Sequence, residues 1–286
     1  MKASTHLYWS LRRELWENRS IWIAPAVIAA VILAAFVIKA DLWSANLRTL
    51  DALEPVKQLM AIAMPYGIGA SAVLLCGWLV AAFYSLDAMS AERRDRSILF
   101  WKSMPVSDTT TVIAKVVTAS IVVPLVALAV ALLMQAAMLI ASTAILAAQG
   151  IDPSIPWTRL PWIEMTVAMF YGMAAHALWF APIVAYLLLM STLTHSVPPL
   201  WAVLPIVAAG TIEVLAFGTR HVAALVQYRL VGGMQAFKPA AMDSVARFEY
   251  FEPIRFLSTP GLWSGLAFAA VCIAAAIRLR RYRDPL

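Results

Sequence analysis

Between Val116 and Gln149 the chain carries no charged residue and is built almost wholly of Val, Ala, Leu, Ile and Met. A soluble domain has no place for an element that is apolar on every side over such a length, whereas a lipid bilayer does. As a helix rising about 1.5 Å per residue, the stretch would run roughly 50 Å against a hydrocarbon core of about 30 Å. One tilted helix projecting beyond the bilayer, kinked at Pro124, is the expected solution. The composition agrees, with 62% hydrophobic residues, 13% charged residues and a mean hydropathy of +0.79. Soluble domains run near half apolar and a quarter charged. The expected fold class is therefore an all-α membrane protein.

Six apolar segments read as transmembrane helices, at about 21–38, 64–86, 112–148, 166–193, 200–217 and 262–277. No internal repeat, low-complexity tract or flexible linker interrupts them, so residues 1–286 are expected to form a single transmembrane domain. Ahead of the first span, Leu7, Trp9, Leu11, Leu15 and Trp16 alternate with Arg12, Arg13, Glu14, Glu17 and Arg19. That pattern predicts an amphipathic interfacial helix over residues 1–19 rather than a cleavable signal. His195, Ser196, Val197, Pro198 and Pro199 predict a tight turn with extended backbone between the fourth and fifth spans.

The formal net charge of +6 suggests nucleic acid at first sight, but in a membrane chain Lys and Arg set orientation. Basic residues gather in the N-terminal arm, between spans two and three (Arg93, Arg94, Arg96, Lys102), and after span six (Arg278, Arg280, Arg281, Arg283). An even number of spans places all three segments on one side. The reading is a multi-pass protein of the bacterial cytoplasmic (inner) membrane with both termini cytoplasmic, bound to membrane lipids and to no nucleic acid. Arg229, Lys238 and Arg247 would then lie outside, mixed with acids in a long external segment at 218–261.

Signatures of catalysis are missing. The sequence has no GxxxxGK[ST] loop to cradle phosphates, no HExxH, CxxC or paired-His metal spacing, and no GxSxG elbow. Cys76 and Cys272 each sit inside an apolar run, which argues against a disulfide or a thiolate metal site. The chain is expected to be no enzyme and to hold no metal or cofactor. Any energy source must lie in another polypeptide.

The most informative polar stretch is 87–111. Acidic and basic residues (Asp87, Glu92, Arg93, Arg94, Asp95, Arg96) precede Ile98, Leu99, Phe100 and Trp101, and a Pro105 turn follows in which Ser107 or Asp108 can cap the next helix. Arg forks beside aromatic anchors are the residue types that concentrate at interface hot spots. An orientation-setting basic loop is the plainer alternative.

The run AERRDRSILFWKSMPVSDTTTVIAK, from Ala91 to Lys115, resembles the cytoplasmic segment of ABC type-2 transporter permeases. There a charged cluster leads into a hydrophobic stretch, an S-L-P-V-S turn and a Lys opening the next helix. Here the turn is Ser103, Met104, Pro105, Val106, Ser107, and the Lys is Lys115. Where the family commonly has Gly before the hydrophobic stretch, this chain has Arg96. The layout of an amphipathic N-terminal helix, six spans and a long external segment before the last span is also similar.

The resemblance implies an exporter-like fold whose cytoplasmic coupling helix docks on a separate ATPase, with two permeases and two ATPases per assembly. By position, Glu92, Arg93, Arg94, Asp95, Arg96, Phe100 and Trp101 would contact the ATPase, which would bind ATP and Mg. The external segment would form short helices dipping back into the outer leaflet.

Gln135, His176 and Glu213 are the polar candidates within the spans, for a translocation path or for interhelical hydrogen bonds. Arg220 or Arg229 is the expected partner of Glu213. The expected function is the permease subunit of an ATP-driven exporter of an amphipathic substrate: a lipid, a lipid-linked glycan or a membrane-active peptide or antibiotic. A non-transporting scaffold or sensor that recruits an ATPase is the alternative. An intramembrane enzyme would need clustered His, Asp or Glu, which the sequence lacks.

Overall fold

The computed structural model describes residues 3–98, 106–194, 197–233 and 251–282. Of the described residues 89% are helical and none forms a strand, and six of the described helices are long and apolar enough to cross a membrane. In order the helices are α1 (Ala3–Glu17), α2 (Ser20–Ile38), α3 (Ala40–Arg48), α4 (Pro55–Asp87), α5 (Ser90–Arg94) and α6 (Asp108–Val117). Then come α7 (Val123–Ala148), α8 (Ile155–Arg159), α9 (Trp162–Leu193), α10 (Pro198–Phe217), α11 (His221–Val231), α12 (Pro253–Ser258) and α13 (Pro260–Tyr282).

Two packed groups make the body. The first is α2, α4 and α7, whose contacts bury Phe36, Ile62, Tyr66, Val73, Met134, Met138 and Leu146. Small residues let these backbones approach, and a side chain on Gly77 of α4 would run into Ala127 of α7. The second is α9 against α13, joined along Ala185, Ala269 and Cys272. Cys272 is buried and Cys76 half-buried, both as free thiols. The α10–α11 hairpin packs differently. Only 6% of the apolar window of α10 is enclosed by the chain, against 22–33% in the other five long helices.

The long third segment resolves its excess length without a break. Between α6 and α7 the residues Thr118–Val122 form a π-turn, immediately ahead of Pro124. Proline has no N–H and crowds the carbonyl four residues back, and widening the turn by one residue relieves both problems. A π-turn thus stands immediately ahead of Pro124, the position where a kink was expected. Ser107 caps α6, its Oγ accepting the Thr110 N–H at 3.1 Å.

Other boundaries also differ from those expected. α4 begins at Pro55 rather than near residue 64, because Leu59 and Ile62 already pack into the core, while Lys57 is exposed and Gln58 turns back to the Leu53 carbonyl. α13 continues past residue 277 to Tyr282, because its buried stripe of Leu262, Gly265, Ala269, Cys272 and Ala276 runs on into a buried Arg280. Val197 is left-handed (φ 48°) rather than extended, which sharpens the turn into Pro198. His195 and Ser196 of that turn lie outside the described residues, as do Phe100, Trp101 and Arg247.

Candidate functional site

Six charged side chains meet at one end of the bundle. Glu14 comes from α1, where it occupies the apolar stripe of Leu7 and Leu11 and is 1% exposed. Glu92 comes from α5, Lys115 from α6 and Arg280 from the last turns of α13. Lys115 Nζ lies 2.9 Å from Glu14 Oε1 and 3.1 Å from Glu92 Oε1, bridging the two carboxylates. Arg280 Nη1 reaches Glu92 Oε2 at 2.7 Å, and its Nε reaches Asp108 at 3.0 Å. Arg13 Nη2 completes the set at 2.7 Å from Glu14 and 3.4 Å from Glu92. Three cations face these three carboxylates, and a fourth, the half-exposed Glu17, lies 3.5 Å from Arg13 Nε at the rim.

Burial alone would favour a protonated Glu14, but Lys115 and Arg13 outweigh it and hold the carboxyl below its ordinary range. The Tyr84 hydroxyl adds a hydrogen bond to Glu14 Oε2 at 2.7 Å. An unpaired charge in such a place is strongly unfavourable, and here each charge has a partner.

A second device ties the same corner to α9. The Ser191 hydroxyl accepts the N–H groups of Met89 and Ser90 at 3.0 and 3.1 Å, capping the start of α5. In return, Arg93 donates to the carbonyls of Thr192 at 2.6 Å, Thr194 at 2.7 Å, and Ser191. These are the carbonyls that a helix C-terminus leaves without intrahelical partners. Arg93 therefore closes α9 while Ser191 opens α5.

The residues expected to face a partner divide accordingly. Glu92, 7% exposed, and Arg93 are engaged inside the chain. Arg94, Asp95 and Arg96 form an exposed tip. Arg96 is left-handed (φ 55°), the conformation glycine takes without strain, at the position where the resembled family commonly has glycine. Phe100 and Trp101 lie outside the described residues.

The intramembrane candidates do not come together. Gln135 is buried on α7 and donates to the Tyr66 carbonyl of α4 at 3.4 Å. His176 stacks on Phe180, with ring centroids 4.2 Å apart. It lines a shallow cleft together with Trp78, Ser120 and Pro124, beside the π-turn. Glu213 sits at the end of α10 and accepts from Thr219 Oγ1 at 2.6 Å and from the His221 and Val222 N–H groups at 2.6 and 2.8 Å. It caps α11 and fixes the α10–α11 hairpin, so the expected pairing with Arg220 or Arg229 is not the one formed.

Reading the sequence singled out Glu92 and Arg93 but missed Arg280 and Ser191 as their partners, and Glu14 as the second carboxylate on Lys115. Two signals were available: Glu14 falls on the apolar stripe of α1, and Arg280 continues the small-residue stripe of α13. Among the described residues no group of three or more His, Cys, Asp or Glu side chains is placed to hold a metal ion. The cluster's carboxylates are saturated by cations, an arrangement suited to rigid mechanical linkage rather than to proton transfer. Comparison with family models, with curated proteins and with solved structures gives no match to this chain.

Proposed function

We propose that the chain is the transmembrane permease subunit of an ATP-binding-cassette exporter, with the ion-cluster end facing the cytoplasm of a bacterial inner membrane. One observation carries the reading: the exposed Arg94–Asp95–Arg96 tip stands on a segment held by buried ion pairs and reciprocal caps to α1, α6, α9 and α13. A docking element that passes force must not bend at its base, and this one is fastened on four sides. Closure of two separate ATPase subunits, which would bind ATP and Mg, would then shift the attached helices between two packed arrangements. In this scheme Arg94, Asp95 and Arg96 make the contact, while Glu92 and Arg93 transmit it. A second permease copy would cover α10, the least enclosed of the long helices. The substrate would be an amphipathic molecule.

The test is purification of the full-length chain from native membranes in mild detergent, with mass-spectrometric identification of co-eluting proteins. An ATP-hydrolysing subunit is expected with the wild type, and its recovery should fall at least roughly tenfold in Arg94→Glu/Arg96→Glu. Those positions are exposed, so the double reversal leaves the buried cluster intact. Absence of any ATPase, or recovery indifferent to the reversal, would sink the proposal.

A further inference from the structure

At the end of the bundle opposite the ion cluster, one arginine is held by an aromatic face, two carbonyls and a glycine furrow. Arg229, near the end of α11, lays its guanidinium 4.7 Å from the ring centroid of Trp179, a fully buried residue of α9. Its Nη2 donates to the Gly261 carbonyl at 2.9 Å and its Nη1 to the Trp179 carbonyl at 3.4 Å, while Trp179 Nε1 returns a bond to the Arg229 carbonyl at 2.8 Å. Space for the guanidinium exists because residue 265 is glycine. A Cβ there would lie 2.5–2.8 Å from the Arg229 nitrogens and Cζ.

No carboxylate meets this cation among the described residues. The described acids on neighbouring elements are committed elsewhere: Glu213 caps α11, and Glu252 pairs with Arg255, while Asp243 and Glu249 lie outside the described residues. Glu164 lies at the far start of α9, and α13 contributes no acid. A guanidinium has five N–H donors in a planar fork, and two are used here on carbonyls. The aromatic face and the glycine furrow hold the fork in one orientation. Around it the surface is apolar: Leu225, one turn earlier on the same face of α11, is 67% exposed, and Trp263, just past Gly261, is 59% exposed.

A fixed positive charge with no carboxylate partner among the described residues, at the start of one long apolar helix and bordered by uncovered apolar side chains, matches an anion carried on a hydrocarbon body. We infer that Arg229, Trp179 and the Gly261–Gly265 furrow form a binding site for the phosphate headgroup of a net-anionic amphiphile, whose chains lie along α11 and α13. The guanidinium fork suits two phosphate oxygens at once. The site rests on the exporter reading for its purpose, since it would define the substrate class as anionic amphiphiles. Its existence can be tested without any ATPase.

The experiment is native mass spectrometry of the full-length chain from a neutral detergent, titrated with phosphatidylglycerol, phosphatidylcholine or inorganic phosphate. Phosphatidylglycerol should bind roughly tenfold more tightly than phosphatidylcholine, a difference the size of one charge-assisted contact. Arg229→Gln should abolish the preference and Arg229→Lys should retain part of it. Should Arg229→Gln fail to fold, Gly265→Ala serves instead, since it displaces the guanidinium from its furrow. Phosphatidylglycerol preference that survives in the folded variant overturns the proposal. So does equal binding of the two lipids by the wild type, or displacement of the lipid by millimolar inorganic phosphate. A site confirmed in this way, beside a failure to recover any ATPase, would reject the exporter reading and leave the site standing.

Discussion

Glu92 and Arg94 are two positions apart in the chain and have opposite surroundings. Glu92 is closed in by Lys115 and Arg280, while Arg94 reaches the exposed Asp87 at 3.3 Å and the exposed Asp95 at 4.0 Å. Their contributions to stability should differ to match. Lys115→Met would leave Glu14 and Glu92 buried beside each other with only the less buried Arg13 shared between them, and breaking a buried pair in this way costs about 3–5 kcal/mol. Arg94→Ala removes an exposed pair, worth about 0–1 kcal/mol. Thermal unfolding of the detergent-solubilised protein should show a large drop in Tm for Lys115→Met and almost none for Arg94→Ala. Equal, small shifts would mean that the cluster does not hold the corner together. The sequence flagged charges in this region but could not rank them, because Glu14 and Lys115 are 101 residues apart, and Glu92 and Arg280 are 188 apart.

At the scale of elements, the helices divide by what surrounds them. α4 and α7 are in intimate contact, and Gly77 stands where any side chain would collide with Ala127. Gly77→Ala should therefore destabilise the protein by about 1–3 kcal/mol through overpacking, although alanine is the better helix former. A rise in Tm for that variant would show that the approach is looser than described. The π-turn at Thr118–Val122 belongs to this scale too. Pro124 announced some irregularity in the third long segment, but proline alone does not choose between a kink and a widened turn. The hairpin of α10 and α11 was legible only as an apolar run followed by a charged loop. Its closure depends on Glu213 reaching the first N–H groups of α11 across the Gly218 turn (φ 67°).

At the scale of the whole molecule, the body is asymmetric. Five long helices share their apolar faces, and α10 stands largely uncovered. If a second copy covers it, single cysteines at Val203, Leu204 or Val207, in a chain with Cys76 and Cys272 replaced by alanine, should give a dimer-mass cross-link in native membranes. The yield should peak at one of the three positions, as one helix face requires. No cross-link at any of them would place the subunit contact elsewhere or leave α10 to lipid.

The sequence by itself determined that this chain makes six long apolar helices, because backbone groups in hydrocarbon must be satisfied within their own segment and the apolar runs have the length for it. It also located Ser107 as a helix cap and the 87–111 segment as the richest in polar chemistry, since caps and charge runs are local patterns. Only the tertiary structure decided which charges are internal and which face outward. Glu14, Glu92, Lys115 and Arg280 are ordinary surface residue types until four distant helix ends meet, and Arg229 is one loop cation among several until Trp179 and two glycines receive it. Pairing across such separations is set by how the helices pack, and no local pattern encodes it.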